Sequence, residues 1–297
     1  MTAPETTADR LVLTTACAAA GLASDGAEPV RLAENQIWRL PGRVIVRIAR
    51  PGQMAAAERE VRVARWLADN AIPAVRLANV PHQPVEAHER PVTFWEELPP
   101  QEHGTVADVA FLLRELHHLP APDIDLGYLD PFVRVPERLQ AAVTIDDADR
   151  SWLHARHRDL AAAWAERPAG RPDCAVHGDA WPGNLVRITG TPRRLMMDFE
   201  RFSLGPPEWD LVSTAVRART TGAVSAAEYD AFCEAYGCDV TEWPGYATLA
   251  GARELRMVTM AAQHAASNPE WIDQAQYRVD CLRGRCGPRP WKWKGIM

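Results

Sequence analysis

The sequence predicts an α+β fold in two lobes, a small antiparallel sheet with one main helix followed by a larger, mainly helical part. Three observations carry this. β-rich runs gather between Ile37 and Trp95 around a single stretch of helix formers, and helix starts with apolar stripes dominate from Thr105 onward. Between Asn184 and Asp198 a strand–turn–strand pattern interrupts those helices. With 297 residues, 47% of them apolar and 24% charged, the chain has material for two cores.

Residues 11–23 form an apolar opening segment. Glu5 and Asp9 stand against Arg10 in its leader, the wrong balance for a secretory signal, and no apolar run reaches membrane-spanning length, so an opening helix is expected. Cys17 lacks the leucine three residues earlier that a lipid-anchored cysteine would have. Ile37-Trp38-Arg39-Leu40, the turn Pro41-Gly42 and the run Arg43-Val44-Ile45-Val46-Arg47-Ile48 read as a hairpin. Residues 54–69 are rich in helix formers, and Ala71-Ile72-Pro73 ends them because a residue before proline is pushed out of the helical region. Pro91-Val92-Thr93-Phe94-Trp95 alternates like a strand, and Glu96-Glu97-Leu98-Pro99-Pro100 breaks it.

Beyond that break, Thr105 to Asp108 is a helix start with Val109, Leu112, Leu113 and Leu116 as its buried stripe. His117 and His118 end it and read as a cap or a surface pair. Residues 152–166 are helical, residues 167–172 a linker, Ser225 to Glu228 a capping box, and residues 243–266 and 269–282 continue the helical pattern. The expected lobes are residues 1–98 and 99–297.

Composition excludes several classes. A net charge of −6 leaves no basic footprint for nucleic acid. Six cysteines without a C-x-x-C pair, and nine histidines without an H-x-x-x-H helix, read as free thiols in a cytoplasmic protein. Lysine occurs only at Lys292 and Lys294, so 31 of the 33 basic residues are arginines, and any cationic contact in the first lobe falls to arginine.

The chemistry concentrates in HGDAWPGN (177–184), RRLMMDFE (193–200) and GPPEWD (205–210). Asn184 to Ile188 and Arg194 to Asp198 flank Thr189-Gly190-Thr191-Pro192-Arg193, a strand, a turn and a returning strand. Centring the turn on Thr191 sets Asn184 opposite Asp198, with opposed Cα atoms ~5 Å apart. An amide oxygen and a carboxylate converging there suit Mg²⁺, which keeps several waters and bridges to nucleotide phosphates. Asp179, five residues before Asn184, reaches the same cavity as a candidate base, Gly178 permits a tight turn before it, and His177 is structural.

These motifs resemble the aminoglycoside phosphotransferase and choline kinase-like family, whose members have a protein-kinase-like fold. The spacing from Asp179 to Asn184 and the following Asp198-Phe199 also match the protein-kinase catalytic segment, although no A-P-E pattern follows Asp198, which disfavours a protein kinase. The resemblance implies transfer of a γ-phosphate from ATP or GTP to a hydroxyl of a small molecule, with Asp179 catalytic and Asn184 and Asp198 binding Mg²⁺. It implies that either Arg47, paired with Glu60 in preference to Glu58, replaces the usual lysine on the α- and β-phosphates, or that contact is missing. It puts the nucleobase on backbone groups of Glu96, Glu97 and Leu98. Glu200 stands where protein kinases have glycine, either helping the metal and acceptor or pairing with Arg201. Trp181-Pro182 stands where protein kinases often have lysine, leaving transition-state charge to Mg²⁺ and an arginine.

For the acceptor, residues from Gly205 onward carry 11 acidic and 10 basic side chains, a difference of −1. That balance favours a neutral or modestly charged acceptor, such as a nucleoside, macrolide or sugar derivative, over a polycationic aminoglycoside. Trp209, Trp243 and Trp271 offer flat walls for it or simply core. An antibiotic as acceptor, a metabolic role on choline, homoserine or a sugar, and a catalytically silent nucleotide-binding protein are the competing readings. A monomer or homodimer with no membrane or nucleic-acid partner is expected.

Overall fold

A computed structural model describes residues 6–32 and 35–295; Glu5 and Ala33 lie outside the described residues. Helix α1 (Thr7–Ala19) starts at a capping box in which Thr6 and Asp9 satisfy each other's backbone amides, and Val12, Leu13, Ala16 and Cys17 form its buried face. Strands β1 (Glu28–Leu32), β2 (Gln36–Leu40), β3 (Val44–Ile48), β4 (Val85–Ala87) and β5 (Arg90–Glu96) form one antiparallel sheet in the order β1-β2-β3-β5-β4. Trp38, Val46, Ile48, Val92 and Phe94 are fully buried on its inner face, against α1 and the segment before β4. The helix expected over residues 54–69 is α2 (Met54–Asp69), which contacts β5.

The second lobe is built on a larger core. Helices α3 (Val106–His117), α4 (Val135–Ala141) and α5 (Asp147–Ala165) precede strand β7 (Cys174–Val176). The three-stranded sheet β6-β8-β9 joins β6 (Gln101–His103), β8 (Leu185–Ile188) and β9 (Arg194–Met196), while β7 pairs with β10 (Ser203–Gly205). Helices α6 (Glu208–Arg219), α7 (Ala226–Tyr236), α8 (Tyr246–Ala265) and α9 (Ile272–Leu282) complete it. The stripe Val109, Leu112, Leu113 and Leu116 is buried as the periodicity requires. Val63, Ala64, Trp66 and Leu67 of α2, with Ile72 and Ala74, pack into this large core, so α2 ties the sheet lobe to the helical one across the expected division at Leu98.

Among the described residues no helix is long and apolar enough to cross a membrane. Helix α5 begins five residues before the expected Trp152, because Asp146 caps it by accepting from the Asp149 amide. Three residues of the tail also find a place: Trp291 and Trp293 stack at 5.6 Å over the large core, and Arg289 pairs with Glu254 at 2.8 Å.

Candidate active site

The segment from His177 to Asn184 leaves β7, whose three residues are all buried, and enters β8 through a single 3-10 turn, Pro182–Asn184. Its first two residues are anchored by Asp210. The Asp210 carboxylate, wholly buried at the start of α6, accepts from the His177 amide at 2.7 Å and the Gly178 amide at 2.8 Å, and lies 3.2 Å from His117 Nε2. Burial works to raise its pKa, but His117, His177 and the backbone amide outweigh it and hold the carboxyl below the ordinary range. His117 is therefore no surface cap: its ring is inside, bonded also to the Tyr236 hydroxyl at 2.9 Å, whereas His118 is exposed.

Gly178 has φ +79°, and a Cβ there would come within 2.3 Å of the Arg201 carbonyl, so both the turn and the close approach require glycine. Its carbonyl accepts from Trp209 Nε1 at 3.1 Å and from Arg253 at 3.4 Å. His177 Nε2 lies 3.1 Å from the Met197 carbonyl, linking the loop to the returning strand.

Asp179 follows with its side chain 44% exposed and its carboxylate 3.2 Å from Arg253 Nη1. Desolvation pushes its pKa up, but Arg253, Arg256 and His177 together pull it below the ordinary value, so the group stays an anion. The Asn184 side-chain amide donates to the Asp179 carbonyl at 3.0 Å, which fixes the amide and leaves its oxygen free of that bond.

The hairpin register differs from expectation by one residue. Leu185 pairs with Met196, Val186 with Leu195 and Arg187 with Arg194, and the Ile188 amide donates to the Arg193 carbonyl at 2.9 Å. The loop thus has four residues, with Gly190 at φ +74°, and its centre falls between Gly190 and Thr191 instead of on Thr191. Asn184 stands opposite Met197, whose amide donates to the Asn184 carbonyl at 3.0 Å. Asp198 is one residue further on, turned back by a left-handed φ of +65° that a non-glycine residue seldom adopts. The two are not a cross-strand pair: Asn184 lines a small hollow with His177 and Trp181, and Asp198 lines another with Arg47 and Glu200.

From the sheet lobe, Arg47 on β3 meets Glu60 on α2, with Nη1 at 2.5 and 2.6 Å from the two carboxylate oxygens. Glu60 is buried and Glu58 is exposed, so the helix face selects between them. Burial first, then Asp198 and Glu200, raise the Glu60 pKa against the pull of Arg47. Desolvation works to lower the Arg47 pKa, but Glu60, Asp198 and Glu200 raise it on balance. Arg47, Glu60, Thr93, Arg134, Asp198 and Glu200 line a cavity of about 190 Å³ between the lobes. Within it burial and the neighbouring Glu200 raise the Asp198 pKa against the pull of Arg47. Asp198, Glu200 and the free oxygen of Asn184 are hard donors of the kind a Mg²⁺ ion takes. Among the described residues no group of three or more His, Cys, Asp or Glu is placed to hold a metal ion. Glu200 also meets Arg201 at 3.4 Å.

At the expected hinge, the Glu96 amide donates to the Arg76 carbonyl and the Glu97 amide to the Arg43 carbonyl, each at 2.9 Å, while the Glu97 carboxylate accepts from Arg39 at 2.7 Å. Those two N–H groups are committed internally; the Leu98 amide has no such bond to a described residue.

A family model described as the phosphotransferase enzyme family matches residues 26–276. The chain belongs to this family. As a family member it is a small-molecule phosphotransferase with the bilobal, protein-kinase-like α+β fold. Among solved structures, it is similar to a choline/ethanolamine kinase family protein from Mesorhizobium loti, at 19% identity and TM-score 0.64, covering 92% of each chain. A spectinomycin phosphotransferase in complex with ADP and spectinomycin aligns at 14% identity and TM-score 0.62, over 98% of this chain and 97% of that one. An aminoglycoside phosphotransferase from Streptomyces rimosus, in complex with ADP and streptomycin, aligns at 20% identity and TM-score 0.58, over 82% and 98%. At these identities the likeness carries the fold. A search of curated proteins gives no match.

Three residues that the phosphotransferase site uses escaped sequence reasoning: Asp210 as the loop's anchor, His117 as its buried partner, and Arg253 as the partner of Asp179. A signal existed for the last. Arg253 and Glu254 sit together inside the apolar stretch from Leu249 to Leu255, where buried charges need a reason.

Proposed function

We propose that this phosphotransferase moves the γ-phosphoryl group of ATP or GTP to a hydroxyl of a small molecule, an antibiotic or a metabolite, in the cytoplasm. The observation that carries the reading is Asp179: a carboxylate kept ionised by Arg253 and Arg256, nearly half exposed, on a loop pinned at His177 and Gly178. Asp179 accepts the hydroxyl proton as the acceptor oxygen bonds to the γ-phosphorus and the bond to the β-phosphate bridging oxygen breaks. The products are a phosphate monoester and a nucleoside diphosphate. Asn184 and Asp198 would hold Mg²⁺, with Glu200 beside them, and that ion when bound neutralises phosphate charge. Arg47, braced by Glu60, grips the α- and β-phosphates in place of lysine. The nucleobase is read by backbone at Leu98, since the Glu96 and Glu97 amides are engaged.

The neighbours support a nucleotide donor and a divalent ion: an amicoumacin kinase of similar fold is recorded with AMP-PNP and Ca²⁺. The test is incubation with Mg²⁺ and ATP or GTP against a library of hydroxyl compounds, read by mass spectrometry for one added phosphate. Absence of any Mg²⁺-dependent nucleotide turnover, with or without acceptors, would sink the reading.

A further inference from the structure

On the helical side of Asp179 the charge is one-sided. Arg138 comes from α4, Arg217 from α6, and Arg253 and Arg256 from α8, a helix that packs against both α4 and α6. Arg201 joins them from the turn before β10. Asp179 is the carboxylate that acts on Arg138, Arg217 and Arg256 alike. Arg253 has it as ion-pair partner and Arg201 has Glu200, whereas Arg138, Arg217 and Arg256 have no ion-pair partner among the described residues. Arg138 is only 8% exposed, and the Nε atoms of Arg138 and Arg217 are buried without a hydrogen bond.

Several other arginines of this lobe are matched, Arg289 to Glu254, Arg194 to Asp108 and Arg283 to Asp149, while Arg278, also buried without an ion-pair partner among the described residues, donates to the Met257 and Lys294 carbonyls. The cost of the unmatched set is visible in its electrostatics. Desolvation, then Arg253, Arg201 and Arg138, lower the Arg256 pKa to about 9. Desolvation, then Arg134 and Arg201, lower that of Arg138 to about 10. Aromatic faces hold the guanidinium planes, with Arg253 and Arg256 4.8 and 5.5 Å from the Trp209 ring and Arg217 5.2 Å from Trp181. Buried like charges of this kind are stabilised by a ligand of opposite sign.

We infer that the acceptor is a hydroxyl compound bearing a carboxylate or phosphate group, its anion held by Arg138, Arg217 and Arg256 while its hydroxyl meets Asp179. This rests on Asp179 being the base of the proposed transfer. The even charge count from Gly205 onward conceals the site because its acids are spent elsewhere: Glu254 on Arg289 and Thr220, Glu208 on the Arg171 amide, Asp280 on Arg285. A polycation would meet guanidinium groups where it needs carboxylates.

The experiment follows nucleotide turnover with Mg²⁺ and a panel matched in hydroxyls but not in charge: glycerol, D-glycerate, glycerol 3-phosphate, gluconate, choline and streptomycin. In parallel, tryptophan fluorescence is titrated with the same compounds in the presence of AMP-PNP and Mg²⁺. The expected result is turnover or saturable binding of the carboxylate or phosphate members, the arm that responds naming which anion is read. Arg138→Met and Arg217→Gln should raise the KM or Kd of that anion by about tenfold or more, well beyond any change in the nucleotide KM. Arg138→Lys should restore part of the affinity, and thermal melts of all variants separate misfolding from lost binding. Turnover of choline or streptomycin alone overturns the inference. So do a panel with no anion response while nucleotide is hydrolysed, and arginine variants whose effect falls equally on nucleotide; all three leave the phosphotransferase reading standing.

Discussion

Asp179 and the Arg47–Glu60 pair answer to different measurements. Asp179→Asn removes the proton acceptor but keeps the size of the side chain, so kcat should fall by about 10²–10⁴ while the nucleotide KM stays near wild type. Steady-state kinetics in both substrates checks this, and wild-type turnover would remove Asp179 from the role. Arg47→Met leaves Glu60, 6% exposed, as an uncompensated buried carboxylate. The expected loss is on the order of 3 kcal/mol in stability, together with a raised nucleotide KM; denaturant titration and kinetics read the two separately. Glu60→Gln, which keeps a hydrogen-bond acceptor for Arg47, should cost less. The choice of Glu60 over Glu58 was open to reading because helical spacing is a local property. Arg253 lies 74 positions from Asp179, and no spacing rule spans that distance.

Elements that follow near-neighbour rules formed where the residues said they would. The stretch 54–69 is α2 with the same bounds, and the capping boxes at Thr105 and Ser225 open α3 and α7. The catalytic hairpin kept its strands but not its register, since the turn's length is set by Ile188 pairing with Arg193, and one residue of slip exchanges the faces of a strand. The short strands β7 and β10 carried no period to read: three residues each, those of β7 all buried. The turn at Gly178 is testable by itself. Gly178→Ala needs a left-handed alanine and a Cβ 2.3 Å from a carbonyl oxygen, so it should lower stability by roughly 1–3 kcal/mol and displace Asp179. A melting temperature and kcat that both stay at wild-type values would refute that account.

Across the molecule, Asp210 joins three distant pieces: the α6 start, the His177-Gly178 loop and His117 at the end of α3. Its carboxyl lies below its ordinary value in the fold, so it binds its proton more readily once unfolded. The stability it contributes is therefore whole above the usual aspartate range near pH ~4 and is lost as pH falls through the lower folded value. Asp210→Asn should be less stable at pH 7 by on the order of 3 kcal/mol and should show a flatter decline in acid; unfolding curves across pH test both. Composition, periodicity, capping and motif spacing were enough to specify a two-lobed α+β chain, its main helices and the residues 177–200 that carry the chemistry, because each depends on neighbours a few positions apart. The hairpin register, the anchoring by Asp210 and the arginines gathered on one side of Asp179 came only with the folded chain. Burial and charge balance are properties of groups brought together from 32 to 93 positions away, and a one-dimensional count sums them without knowing which have already neutralised each other.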